Sequence, residues 1–284
     1  MEVGAAFSIG SMECQVIADG VNAYAPEDVF STVPPDKLRE LVGSELDENG
    51  LLLVPYNALL VRTSHQVVLI DTGAGESAGE LGAPAGHLQE SLQRAGIRPS
   101  DVDLVIISHA HPDHIGGLTT SRGERQALVF GSARHVIARQ EWEFWTSAEV
   151  LAGLPEFVAG AARHHLPVLE NSGRLELVDG EVDVLTGVRL VPAPGHTPGH
   201  MVVELTSGGE KGMFGADVVL HELNFERPEL LSAFDGDPAM ALQTRKQILG
   251  RAAHEKGVFV GFHLKKIGRV EQTQHAYRLR SLNS

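Results

Sequence analysis

The chain has 284 residues with 43% hydrophobic side chains, enough for one large core, and lacks any apolar run near the roughly eighteen residues of a membrane span. Its formal charge of −14 is spread along the chain rather than gathered in a tail, which argues against nucleic acid and anionic membranes as partners. The single cysteine, Cys14, rules out an internal disulfide, fits a reducing cytosol and leaves any metal to nitrogen and oxygen ligands. Met1-Glu2-Val3-Gly4-Ala5-Ala6-Phe7 shows no secretory pattern, so a cytoplasmic location is expected.

In chain order, short apolar runs predict strands over 15–18, 58–62, 67–70, 104–107, 135–138, 174–177, 188–191, 201–205, 212–214 and 258–261. Amphipathic stretches predict helices over 35–41, 86–95, 139–146, 150–164 and 238–253, the last with Asp237 as N-cap and Pro238 at the first helical position. Residues 19–55 are rich in Pro, Gly and acidic side chains, with Phe30, Val33 and Leu38 scattered among them. They read as a surface excursion, or alternatively as a cover over the site or a dimer contact. The turn-prone Glu170-Asn171-Ser172-Gly173 is the expected junction of two strand-rich halves. No linker is visible, so residues 1–284 are read as a single α/β domain. In it, two sheets face each other and the helices lie outside.

The chemistry concentrates in Ser108-His109-Ala110-His111-Pro112-Asp113-His114, followed by Ile115-Gly116-Gly117. Three imidazoles and a carboxylate fall within six residues, directly after the apolar Leu104-Val105-Ile106-Ile107. Such groups are ligands for zinc and similar divalent ions, and one turn cannot supply a whole coordination shell. Three more strand ends supply the remainder: His196 in Pro194-Gly195-His196-Thr197-Pro198-Gly199-His200, Asp217 after Met213-Phe214, and His263 after Val258-Phe259-Val260. Taken singly, an Asp there is usually a turn former and a lone His an ordinary polar residue. Four strand ends all closing in His or Asp share position and chemistry too closely for accident.

This pattern, H-x-H-x-D-H followed by a distant His, Asp and His, resembles the metallo-β-lactamase-fold hydrolases from Asp71-Thr72-Gly73 to His263. The resemblance implies an αββα sandwich of two facing mixed sheets with helices on both outer faces. It implies two divalent metal ions, foremost zinc: one on His109, His111 and His196, the other on Asp113, His114 and His263, with Asp217 bridging. A bridging hydroxide is then the nucleophile, and Asp113 and Asp217 are candidates to carry a proton to the leaving group. Asp71 is expected behind the ligands, orienting a histidine, and His200 beside the metals rather than on them. His87, His135, His164, His165, His254 and His275 match no motif position.

Ala18-Asp19-Gly20, the Glu141–Trp145 stretch and the segment 225–252 are similar to the branch holding acyl-homoserine lactonases and methyl parathion hydrolase. The expected reaction is hydrolysis of a lactone or other small ester, extending to phosphotriesters, in a homodimer. Homoserine lactonases commonly carry a Tyr three residues after the bridging Asp; here Leu220 stands there, so either His221 replaces it or the substrate needs no hydroxyl. Phe30, Trp142, Trp145, Phe225 and Phe234 are candidate pocket aromatics. Alternative readings are a thioesterase or β-lactamase-like amidase on the same metals, or a non-catalytic metal-binding interaction protein. Asp217, where several β-lactamases have Cys or Ser, disfavours antibiotic hydrolysis. Lys265-Lys266, the only basic pair near the C-terminus, gives little to a glutathione thioester.

Overall fold

The computed structural model describes residues 4–82, 84–123 and 125–282. Its strands run β1 (Ala6–Ile9), β2 (Met12–Tyr24), β3 (Leu52–Arg62), β4 (Val67–Ile70), β5 (Leu104–Ile106), β6 (Thr119–Arg122), β7 (Arg125–Leu128), β8 (Arg134–Ala138) and β9 (Leu175–Val178). They continue as β10 (Val182–Leu185), β11 (Val188–Pro192), β12 (Met201–Ser207), β13 (Glu210–Phe214), β14 (Val258–Val260), β15 (Gly268–Gln272) and β16 (Tyr277–Ser281). One seven-stranded sheet is ordered β1-β2-β3-β4-β5-β8-β9, the other β10 through β16 in sequence, and β6-β7 is a separate hairpin. Both large sheets are mixed: β4, β5, β8 and β9 are parallel neighbours in the first, and β13 and β14 in the second.

Alternation along each strand decides which face meets which layer. Leu59, Val61, Val68, Ile70, Leu104, Ile106 and Val136 of the first sheet share a core with Val188, Leu190, Val203, Phe214, Val258 and Val260 of the second. Their neighbours Leu60, Leu69, Val105 and Ile137 point the other way, onto Leu88, Leu92, Trp142, Ala162 and Leu166 of the outer helices. On the far side Val202, Met213 and Phe259 pack on Ile248, Leu249 and Ala252 of the helix Pro238–Glu255. The layers are therefore helix, sheet, sheet, helix. Among the described residues no helix is long and apolar enough to cross a membrane.

The strand over 67–70 and the helix over 139–146 have the bounds expected from sequence. The single helix expected over 150–164 is instead two, Ala148–Ala152 and Glu156–Glu170, interrupted where Gly153 and Pro155 fall. The junction also differs. Residues 170–173 only close a helix, β9 still pairs with β8, and the chain crosses between sheets at 179–181. β1, the β6–β7 hairpin, β10, β15 and β16 were not expected; in β15 and β16 charged residues alternate with few apolar ones.

Residues 19–55 are more ordered than an excursion. β2 and β3 form a long hairpin whose register shifts between Ala18 and Gly20. Val29, Phe30, Leu38 and Val42 then build a small core with Leu52, Val54, Leu220 and Leu230. At the shift, buried Asp19 accepts the backbone N–H groups of Ala74 (2.9 Å), Gly86 (3.0 Å) and Leu88 (2.8 Å), fixing the turn after β4.

Candidate functional site

β5 opens into the turn that carries His109 and His111 and then the short helix Pro112–Ile115 with Asp113 and His114. β11, β13 and β14 run in a common direction, and the loops beyond their C-terminal ends supply His196, Asp217 and His263. The two sheets are joined at this edge by hydrogen bonds from Met201 N–H to Ser108 C=O (2.9 Å) and from Asn57 N–H to Phe262 C=O (3.0 Å). Gly117 has no room for a side chain, since a Cβ there would lie 2.0 Å from the Thr72 carbonyl oxygen.

The candidate ligand atoms gather in two groups, His109, His111, His196 and Asp217 in one and Asp113, His114 and His263 in the other, the atoms of each lying within 4.8 Å of one another. Asp217 lies between them. Its Oδ2 is 3.1 Å from His263 Nε2 and 3.3 Å from His196 Nε2, and its Oδ1 is 3.2 Å from His114 Nε2. His111 Nδ1 is 3.0 Å from both His109 Nε2 and His196 Nε2. All of these but His111 are buried, and His114 Nε2 and Asp217 Oδ1 have no hydrogen-bond partner. Converging lone pairs with orphaned buried atoms fit a pair of cations.

Without an ion, the carboxylates and imidazoles of the cluster shift one another in both directions. Burial opposes charge on His114, but Asp217, Asp113 and Asp71 outweigh it and hold its pKa well above the ordinary value. Burial likewise opposes charge on Asp217, yet His263, His114 and His109 pull its pKa well down. His109 and His111 are pushed low by burial and by the neighbouring imidazoles.

Behind the cluster, buried carboxylates orient it. Asp71, held at φ 63°, accepts from His114 Nδ1 (2.8 Å) and from the Ser108 N–H and hydroxyl (2.7 Å each). Asp235 faces His196 Nδ1 at 3.1 Å and accepts Ser232 N–H. Burial works against a charged His196, but Asp217 and Asp235 raise it to about 9. Fully buried Glu141 accepts four bonds: from Ala110 N–H (2.9 Å), Trp145 Nε1 (2.6 Å), Thr197 hydroxyl (2.7 Å) and Gly199 N–H (2.9 Å). It thereby ties the His109–His111 turn to the His196 loop. Gly199 is needed there, because a Cβ would lie 2.2 Å from the Glu141 nitrogen. His200 Nε2 accepts Asp217 N–H at 3.1 Å, and burial lowers its pKa to about 3.

A cavity of about 320 Å³ opens over the cluster. His111, Asp113, His196, Asp217 and His263 form its polar side, and Val29, Val54, Leu81, Phe157, Val158, Leu220 and Phe234 its apolar side. Of the aromatics expected in a pocket only Phe234 lines it; Phe30, Trp142, Trp145 and Phe225 are buried in the packing. His221 is not brought to the cavity. Its ring packs edge-on to Phe30, its Nδ1 accepts Leu223 N–H, and its Nε2 faces Glu45 at 3.4 Å, so the fold turns it away while Leu220 faces in. Sequence reasoning missed Asn22, Tyr24, Glu141 as a tie, Asp235 and Phe157. A signal existed for Asn22 and Tyr24: residues two apart on a strand share a face.

Several known proteins are similar to this chain. A family model described as the metallo-beta-lactamase superfamily matches residues 51–253. The N-acyl homoserine lactonase AiiA of Bacillus thuringiensis subsp. kurstaki is 28% identical over 240 residues, covering 78% of this chain and 86% of the relative. Among solved structures, AidC, a dizinc quorum-quenching lactonase in complex with a product, aligns at 25% identity with a TM-score of 0.86 over 98% of this chain and 97% of that one. The hydrolase AbOPH, of the beta lactamase superfamily, aligns at 25% identity with a TM-score of 0.88 over 99% and 98%.

Proposed function

Because the chain belongs to the metallo-β-lactamase superfamily, we propose that it is a dinuclear metal-dependent hydrolase that opens lactones and related small esters, with phosphotriesters as secondary substrates. The observation that carries this reading is the Asp217 carboxylate, set between two ligand groups on the floor of a largely apolar cavity. The lactonase relatives support the substrate class. An all-nitrogen-and-oxygen ligand set rich in imidazole suits zinc.

His109, His111 and His196 would hold one cation and Asp113, His114 and His263 the other, with Asp217 shared. Bound there, the two ions would supply Lewis acidity to the scissile carbonyl and bring a water's pKa toward neutrality. The rest falls to the chain's own residues. With a cation on Nε2, Asp71 and Asp235 would hold the remaining proton of His114 and His196 on Nδ1. Asp113 lines the cavity beside His263 Nε2 (3.4 Å), where it takes the proton of the attacking water and returns it to the leaving oxygen. The apolar walls exclude competing water and accept the tail of a neutral substrate; Asp28 and Glu80 on the lining disfavour an anionic one. A homodimer is proposed on kinship, to be checked by light scattering, and a cytosolic location on the buried lone thiol.

Metal analysis of active protein should find about two equivalents per chain, and Asp217→Ala should abolish turnover with the fold retained. Rates on long- and short-chain homoserine lactones, aryl esters, a phosphotriester and a thioester rank the substrates. Fully active protein free of metal overturns the mechanism, and a preference for the thioester overturns the lactonase reading.

A further inference from the structure

The cavity has one wall whose protons can be assigned. Asn22 Oδ1 accepts Ala23 N–H at 2.8 Å, which fixes the side-chain amide and turns Nδ2 onto the Tyr56 hydroxyl at 3.2 Å. Tyr56 is fully buried, its ring packed against Phe262 and edge-on to His263 at centroid distances of 5.6 and 5.4 Å. Its oxygen has two hydrogen-bond partners among the described residues, the Asn22 amide and the Tyr24 hydroxyl at 2.5 Å. The amide can only donate. A buried hydroxyl proton needs an acceptor, so the Tyr56 proton goes to the Tyr24 oxygen. The Tyr24 proton then has no partner in the wall and points away from Tyr56.

Tyr24 lines the cavity together with Asp113, Asp217 and His263, braced edge-on to Phe234 at 5.4 Å. Among the described lining residues it is the only hydroxyl; the others are apolar, carboxylate or imidazole apart from Asn22, whose amide is engaged. A phenol's ordinary pKa of about 10 makes it a donor through the neutral range, and burial raises it further. Leu220, also on the lining, supplies no such group.

We propose that Tyr24 is a substrate-contacting residue that donates its O–H to an oxygen of the bound ester or lactone, and that Tyr56 and Asn22 are positioning residues acting through it. This rests on the ester-hydrolysis reading above. It places the hydroxyl on the β2–β3 hairpin, not on the loop that follows Asp217.

The test uses metal-loaded wild type, Tyr24→Phe, Tyr56→Phe and the double variant. Each is assayed for kcat and KM on N-hexanoyl homoserine lactone and, by calorimetry, for affinity toward the ring-opened N-hexanoyl-L-homoserine. Phenylalanine keeps the ring contacts, and metal content and circular dichroism check the fold. Tyr24→Phe should lower kcat/KM by about 10- to 100-fold and weaken product binding by about tenfold, the scale of one lost donor to a charged oxygen. Tyr56→Phe should cost less, and the double variant should match Tyr24→Phe alone, since Tyr56 has nothing left to orient. Wild-type kcat/KM and product affinity in Tyr24→Phe overturn the proposal, as does a double variant whose losses multiply. A wild type that binds the product but leaves the lactone intact refutes the hydrolase reading, and product affinity in the variants still judges Tyr24. A wild type that neither binds nor hydrolyses overturns both.

Discussion

Replacing Glu141 by Gln removes one acceptor while keeping shape. Two of its four partners, Ala110 N–H and Trp145 Nε1–H, share Oε1 and can only donate; the other two, the Thr197 hydroxyl and Gly199 N–H, share Oε2. The amide NH2 will settle on the Oε2 side, where the Thr197 hydroxyl can rotate to accept, and Gly199 N–H is orphaned. One buried unsatisfied N–H costs about 1–3 kcal/mol, and the remaining bonds fall from charge-assisted to neutral strength, giving about 3–5 kcal/mol in all. Both affected loops carry members of the first ligand group only, whereas the second is braced by Asp71. Urea unfolding should show the stability loss, and dialysed protein should hold about one metal equivalent where the wild type holds about two. Burial raises the Glu141 pKa against its four donors. An unchanged urea midpoint with full metal content would refute the reasoning, because it would mean that the carboxyl is already protonated or that the tie does not set the loops.

Acid should destabilise the protein through two buried histidines away from the site. Burial pushes His135 and His165 down to about 4 each, so between about pH 6.5 and 4 the unfolded chain binds more protons and stability falls with pH. Each contributes up to about 3 kcal/mol across that window; urea midpoints flat from pH 7 to 4.5 would sink this account. Phe157 and Phe234 are 43% and 37% exposed on the cavity lining. Their replacement by Ala should raise KM for long-chain more than for short-chain lactones while leaving thermal stability nearly unchanged. Equal effects on both chain lengths would remove these rings from the tail's path.

The histidine and aspartate positions were legible because each sits at the end of an apolar strand, where a few residues fix the direction of a side chain. The layer order was legible for the same reason: strands such as Val67–Ile70 are read from local alternation. What stayed hidden depends on distant partners. Asp235 finds His196 39 residues away, and Glu141 finds Gly199 58 residues away, with no local pattern to announce either. His221 looked available because it follows Leu220, but the buried Phe30 beside it comes from the hairpin insertion. Polar edge strands such as β15 and β16 carry little hydrophobic signal, and the junction was misplaced because the turn at 170–173 serves a helix end.

The first sheet contributes His109 to His114 and the second His196, Asp217 and His263, so the proposed ligands straddle the two halves of the chain. An ion bound there is a noncovalent cross-link between distant segments, and it binds only when both halves are in place. At a free metal concentration of about a thousand times its dissociation constant, such an ion adds about 4 kcal/mol to folding by mass action. The melting temperature should therefore climb with the logarithm of metal concentration, and a cell's metal supply would set the lifetime of this protein as well as its rate.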